Sequence, residues 1–449
     1  MKFSYTPTND ELTHKQRRRD QRLRDTSPAF RRPNQVLGQR STIGCVALEI
    51  TQRCNLDCTL CYLSEYSESV PDPPLEELRR KLDFIKDRFG VHTNVQITGG
   101  DPTLRPRAEL VEIVRYAAGI GLYPALFTNG IRASRDLLRE LADVGLVDVA
   151  FHVDLTQERK GYATEIALND VRSKYLERAH GLGLAVIFNT TVFQGNVGEI
   201  PELVRFFVRH AGELGMASFQ MQADTGRGYL RKREDEITKQ RICRLIEEGC
   251  EGTKLSWDSV LFGHPDCHNI AYCVVAGGKV IDLFDDVDVL SRWLADFGTV
   301  ALDRTQVVQS ATRVLKHMLL QRPDWLRYGG RWAGRKLLQA VPPLVLEAVE
   351  KKRLPQLGKI SFFIQNFMDA DSLKGQVESE RVQHCSFHVA TRDGSLSMCE
   401  HNARRDDFII PASLIRGRDI LPRRPPIAAV LRPSGPAVSS DDAQVDSSS

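Results

Sequence analysis

The chain has 449 residues, enough for two or three domains at roughly 150 residues each and too many for a small disulfide-stapled scaffold. Hydrophobic residues make up 42% and charged residues 27%, and 61 Lys+Arg against 58 Asp+Glu leave a net charge of +3. That balance excludes wholesale disorder and any function resting on bulk charge alone.

No apolar run reaches the roughly 18 residues of a membrane span. The most hydrophobic late stretch, 340–349, is interrupted by Pro342 and Pro343. The N-terminus lacks the apolar core of a signal peptide, so a cytoplasmic location is expected. In a reducing compartment the ten cysteines are expected to be ligands or free thiols rather than disulfides.

Residues 1–42 open with ten Lys/Arg against four acids in the first forty and show little apolar periodicity, which reads as a flexible basic arm. From Cys45 onward, short β-branched runs alternate with helical stretches of about a dozen residues. Strands are expected at 46–51, 94–98, 123–128, 148–154, 185–193 and 217–222. The intervening segments 75–89, 109–118, 135–144, 170–182 and 200–211 carry apolar residues at three- and four-residue spacing. Six strand–helix units imply a parallel sheet with right-handed crossovers, hence a curled α/β barrel over residues 43–230, with its chemistry at the C-terminal ends of the strands.

The unusual residues fall at those ends. The first strand is followed by Cys54, Cys58, Cys61 and Tyr62 on one loop, the second by Gly99, Gly100 and Asp101, and the third by Thr128, Asn129 and Gly130. Three cysteines on a four-iron cluster leave one iron open. A tetrahedral zinc site wants a fourth Cys or His, and the nearest histidine in sequence is His92.

The spacing Cys54-x3-Cys58-x2-Cys61 followed by Tyr62, with Gly99-Gly100-Asp101 downstream, resembles the signature of the radical S-adenosylmethionine (SAM) superfamily. The resemblance implies a partial (β/α)6 barrel and a [4Fe–4S] cluster on Cys54, Cys58 and Cys61. It further implies that the open iron binds SAM, whose reductive cleavage yields a 5′-deoxyadenosyl radical. Gly99 and Gly100 give the backbone clearance to approach a ligand. Asp101 stands where the family carries the acid that meets the SAM ammonium, here one methylene shorter. Tyr62 is implied near the adenine, with Thr128 and Asn129 beside it, although Asn129-Gly130 reads equally as a plain turn. His152 and Asp154 share one face of the fourth strand, either as a satisfied buried pair or as ribose or substrate contacts. Arg227 follows the sixth strand and is a candidate for an anionic substrate group.

Residues 231–410 form a C-terminal α+β subdomain with a helical cap. Cys243 sits in a helical stretch as an inert thiol. Cys267, Cys385 and Cys399, with Cys273 or a histidine in reserve, are candidates for a second metal cluster, the hairpin turn at Asp393-Gly394 bringing Cys385 and Cys399 together. The runs 264–275 and 384–402 resemble the radical SAM branch that contains tetraether lipid synthase and the hydroxymethylpterin dimethyltransferases. That branch implies alkylation or C–C bond formation at an unactivated carbon, here read as a lipid chain. The alternatives are methylation of a pterin-like polar substrate, or a non-catalytic iron–sulfur redox sensor. The stretch 313–353, with ten Lys/Arg, three acids, Trp325, Tyr328 and Trp332, suits a lipid surface or a packed cap. A nucleic-acid reading has no motif behind it. A reductant such as flavodoxin or ferredoxin is the implied partner. The Pro- and Ser-rich residues 411–449 read as a disordered tail.

Overall fold

The structure, a computed structural model, describes residues 3–226, 237–352, 354–374 and 376–410. The readings placed on Arg227 and on the tail 411–449 lie outside the described residues. Helix α1 (Asn9–Asp25) precedes six strand–helix units. These are β1 (Cys45–Thr51) with α2 (Leu75–Phe89), β2 (Asn94–Gly99) with α3 (Arg107–Gly119), and β3 (Tyr123–Thr128) with α4 (Arg135–Asp143). They continue with β4 (Asp148–His152) and α5 (Asn169–Ala179), β5 (Ala185–Val192) and α6 (Ile200–Arg209), and β6 (Leu214–Met221) and α7 (Lys239–Gly249). Then follow β7 (His268–Ala276), β8 (Lys279–Asp282), α8 (Val287–Phe297), α9 (Val307–Leu320), α10 (Asp324–Lys351), β9 (Leu357–Asn366) and α11 (Gln376–Gln383). The last elements are β10 (Phe387–Thr391), β11 (Gly394–Ser397), α12 (Met398–Ala403) and α13 (Arg405–Ile409).

All strands join one eleven-stranded sheet in the order β11-β10-β1-β2-β3-β4-β5-β6-β9-β7-β8. The six expected strands are parallel and consecutive, and the helices cover the outer face with apolar stripes such as Leu78, Leu82, Ile85 and Phe89 of α2. Each such side chain contributes about 1.5–3 kcal/mol when fully buried. Strands of the C-terminal region extend the same sheet: β10 lies parallel to β1, and β9 parallel to β6. The curl brings these additions together, with His268 2.7 Å from the Ser386 hydroxyl and Phe363 stacked on Phe387 at 5.8 Å between centroids.

Inside the curl, side chains alternate as the pleat demands. A middle layer of Ala47, Gln96, Ala125, Ala150 and Ile187 leaves open what branched side chains fill in a closed barrel. The result is a cavity of about 640 Å³ running along the strands.

Residues 1–42 are not a loose arm. Thr8 and Glu11 form a capping box at the start of α1, Glu11 pairs with Lys86 of α2 at 2.6 Å, and the Arg19 guanidinium is buried against the Gly298 carbonyl. Apolar periodicity missed this helix because polar anchors hold it to the barrel. The helical cap also departs from expectation. Helix α10 packs on β7 and β8, and the Gly277 turn between them meets the Pro343 carbonyl, so the helix lies at the sheet edge rather than over the cysteine end. Its aromatics turn inward, Trp325 against Trp293 and Phe297, and Trp332 donating to the Leu283 carbonyl at 3.0 Å.

Candidate functional site at the C-terminal strand ends

The cysteine loop leaves β1 through an irregularity in its register with β2 between Glu49 and Thr51. The Thr51 and Arg53 carbonyls then accept from the Gly100 and Asp101 amides at 2.9 and 2.8 Å, tying this loop to the one after β2. Glycine is required in that seam. A Cβ on Gly99, whose φ is 128°, would sit 1.9 Å from the Thr51 carbonyl oxygen, and one on Gly100 would sit 2.0 Å from that of Arg53. The clearance expected to serve a ligand is thus first used to seat the cysteine loop, although both glycines also line the cavity.

Cys54, Cys58 and Cys61 all line one end of the cavity. Among the described residues no three Cys, His, Asp or Glu side chains are gathered tightly enough for a single metal ion. Three thiols on one short loop fit a cluster instead, because each iron takes its own thiolate and the fourth is left for another ligand. Burial raises the Cys58 thiol well above its ordinary range, with Cys61 adding to the shift, so loading iron must expel protons. Asn129 Nδ2 lies 4.0 Å from the Cys54 sulfur and donates to Asn55 at 2.7 Å, while its carbonyl accepts from Arg159 at 2.6 Å. The Asn129-Gly130 turn is therefore both a turn and a wall of the cysteine pocket.

Asp101 corrects its expected role. It is fully buried and absent from the cavity wall, and its carboxylate accepts from the Thr103 amide and hydroxyl, the Thr128 hydroxyl and the Asn129 amide. Those donors tie Asp101 to the loop after β3, where Thr128 and Asn129 line the cavity. Asp154 is likewise fully buried, bonded to His152 at 2.6 Å and to the Thr191 amide at 2.7 Å. Only His152 of that pair faces the cavity. Burial would lower its pKa, but the Asp154 carboxylate outweighs this and raises it.

Tyr62 lines the same end and donates to the Gly99 carbonyl at 2.8 Å. Over its ring, 4.7 Å from the centroid, lies the guanidinium of Arg405, which also pairs with buried Glu49. Glu49, Arg159 and Arg405 were not among the expected site residues. An acid inside the otherwise apolar first strand was the available signal for Glu49; nothing local marked the two arginines.

Cys267, Cys385 and Cys399 lie near one another, and burial raises all three thiols: Cys385 to about 11 with Cys267 adding to the rise, Cys399 to about 12 with Cys385 and Cys267 adding to it, and Cys267 against the pull of Arg381 and Lys239. The β10–β11 hairpin turns at Asp393-Gly394 as expected. Cys273 does not join them; it pairs across the sheet with Ile360 and Asp282 and neighbours Cys250.

Residues 48–207 match the Radical SAM superfamily. Over 404 residues the chain is 24% identical to 7,8-dihydro-6-hydroxymethylpterin dimethyltransferase of Methanocaldococcus jannaschii, covering 81% of this chain and 77% of the relative. It is 30% identical over 224 residues to PqqA peptide cyclase of Bradyrhizobium diazoefficiens, covering 48% of this chain and 57% of the cyclase. Among solved structures, Streptococcus suis SuiB bound to SAM is similar at TM-score 0.37 and 14% identity, over 58% of this chain and 54% of that one. The named transferase and cyclase relatives set aside the non-catalytic sensor. Through residues 48–207 the chain belongs to the radical SAM superfamily, and it is an enzyme of that kind with a [4Fe–4S] cluster and SAM as cofactors.

Proposed function

We propose that the enzyme alkylates, or forms a C–C bond at, an unactivated carbon of a lipid chain. The observation that carries this reading is the cavity itself, which runs from the three cysteines into a waist of mostly small and aliphatic side chains, Ala47, Ala125, Ala150 and Ile187, with Gln96 the one polar member of that layer. When bound, a reduced cluster with SAM supplies a carbon radical able to abstract hydrogen. The chain's own residues do the rest. Cys54, Cys58 and Cys61 hold the cluster, Tyr62 and Asn129 wall the SAM end, and His152, held through Nε2 by Asp154, lines the substrate side. A radical SAM enzyme needs a one-electron reductant, for which flavodoxin or ferredoxin is the proposed partner. Cys267, Cys385 and Cys399 are the proposed ligands of a second cluster, fitted by their mutual proximity.

A second reading, methylation of a pterin-like substrate, is favoured by the polar upper layer of Thr98, His152, Asn189 and Ser218 and by the name of the archaeal relative. One assay separates the two. Reconstituted enzyme with SAM and dithionite is expected to form 5′-deoxyadenosine at least about fivefold faster with a polar lipid extract than alone. Stimulation by a reduced pterin and not by lipid would replace the lipid reading with the second.

Peripheral lipid contact is proposed for α9 and α10. Leu337, Val341, Val345 and Val349 repeat every fourth residue and are all exposed, as are Leu315, Leu319 and Leu338. Exposed Arg313, Lys316, Arg327 and Arg331 supply charge for anionic headgroups. Among the described residues no helix is long and apolar enough to cross a membrane. Exchanging Leu337 and Leu338 for Glu should lower binding to phosphatidylglycerol vesicles at least about tenfold in a sedimentation assay, two lost leucine insertions each costing about 1.5–3 kcal/mol.

A further inference from the structure

The far end of the lumen is polar and positively charged. It is closed by α1 and by residues 298–306, and the cavity there is lined by Lys15, His92, Tyr123, Asp148 and Arg304. Tyr123 is stacked on His92 at 4.8 Å between centroids, carries Arg304 on its ring at 4.8 Å, and donates to Asp303 at 2.8 Å. Arg304 is spent on Asp148 at 2.9 and 2.6 Å, and Arg40 on the Gly298 and Val300 carbonyls.

Two groups at this floor are not spent. Lys15, whose stem packs on Gly90, makes no hydrogen bond or ion pair among the described residues. His92 Nε2 is buried with no hydrogen-bond partner, its side chain 7% exposed and the nearest carboxylate, Asp303, 3.8 Å away. Lys15, Arg19, Arg40, Arg304 and Arg313 outnumber Asp148 and Asp303 around them. An unpartnered ammonium and an unpartnered imidazole nitrogen in a cationic field suit an oxyanion. Burial and the neighbouring arginines lower the Lys15 pKa to about 7, and an anion beside it would restore its charge.

We infer that the barrel floor binds the anionic terminus, carboxylate or phosphate, of a chain-like apolar molecule whose body fills the lumen, with Lys15 Nζ and His92 Nε2 as its partners. The inference rests on the proposed lipid reading and adds to it the polarity and orientation of the substrate, charged end at the floor and chain toward the cysteines.

The test measures binding to reconstituted enzyme by equilibrium dialysis with three probes of equal chain length: palmitate, hexadecyl phosphate and hexadecanol. Wild type is expected to hold at least one anionic probe at least about tenfold more tightly than hexadecanol, and Lys15→Met to lose that preference while binding hexadecanol as before. The anion preferred tells a fatty-acid carboxylate from a phosphate headgroup. Equal binding of all three probes, or a preference that survives in Lys15→Met, overturns the inference. Should Lys15→Met not fold, acetic anhydride labelling of wild type read by mass spectrometry serves instead. Palmitate or hexadecyl phosphate must protect Lys15 where hexadecanol does not, and equal labelling overturns the site. Formation of 5′-deoxyadenosine is scored separately. Cleavage without anionic preference refutes the floor alone; preference without cleavage refutes the proposed reaction and leaves the floor standing.

Discussion

Exchanging Cys58 for alanine is expected to bring 5′-deoxyadenosine formation to background and to remove about four irons per chain. The loss follows from cluster stoichiometry, because two thiolates cannot hold the four-iron unit that leaves one iron open. The fold should survive. The loop is held by bonds that do not involve the thiol, the Thr59 amide to the Thr156 carbonyl at 2.9 Å and the Gly100 amide to the Thr51 carbonyl at 2.9 Å. Removing one sulfur costs about 1 kcal/mol in unfolding experiments. Iron analysis, nucleoside chromatography and circular dichroism on the same sample check all three statements. Retained cleavage in the variant would remove Cys58 from the cluster. The same preparation also tests the second cluster, since wild type should carry about eight irons and Cys385→Ala about four while still loading the first site.

Much of this site was legible because its signals are local. Parallel strands need crossover helices, so alternation of a two-residue and a 3.6-residue period locates β1 to β6. Loops after adjacent strands converge, so Cys54, Gly99 and Asn129 are neighbours by topology alone. Three kinds of information were not local. The fate of a carboxylate depends on which donors reach it, and Asp101 is filled by Thr103, Thr128 and Asn129 from two loops. Helix α1 has no apolar stripe, being held through Glu11, Arg19 and Tyr5, so composition made it look like solvated chain. The additions at the sheet edges pair residues far apart in the chain, as Cys45 with Phe387 and Met216 with Ser361, which no periodicity reports.

Arg405 shows what that long-range pairing does for the site, and its exchange for methionine is expected to destabilise the protein by about 3–5 kcal/mol at neutral pH. It comes from beyond the matched residues 48–207, yet it pairs with Glu49 of the first strand and covers the ring of Tyr62. Burial alone would raise the Glu49 carboxyl; the Arg405 guanidinium, helped by the Gln52 side-chain hydrogen bond, outweighs it and holds the group below its ordinary range. A depressed folded-state pKa gives stability that is present above the unfolded value and lost as pH falls through the folded one. In Arg405→Met the main compensating cation is gone, burial dominates, and Glu49 takes up a proton more readily than in wild type. The stability gap between the two proteins should therefore be largest near pH 7.5 and narrow toward pH 5, where the variant carboxyl is neutralised and wild type still has its ion pair. Burial lowers His401 to about 4, so that ring stays neutral across the window and does not mimic the effect. Urea unfolding of both proteins at the two pH values measures the gap. The uncovered Tyr62 ring should also weaken SAM binding in equilibrium dialysis. A gap independent of pH would mean that Arg405 acts through packing on Tyr62 and not through the charge on Glu49.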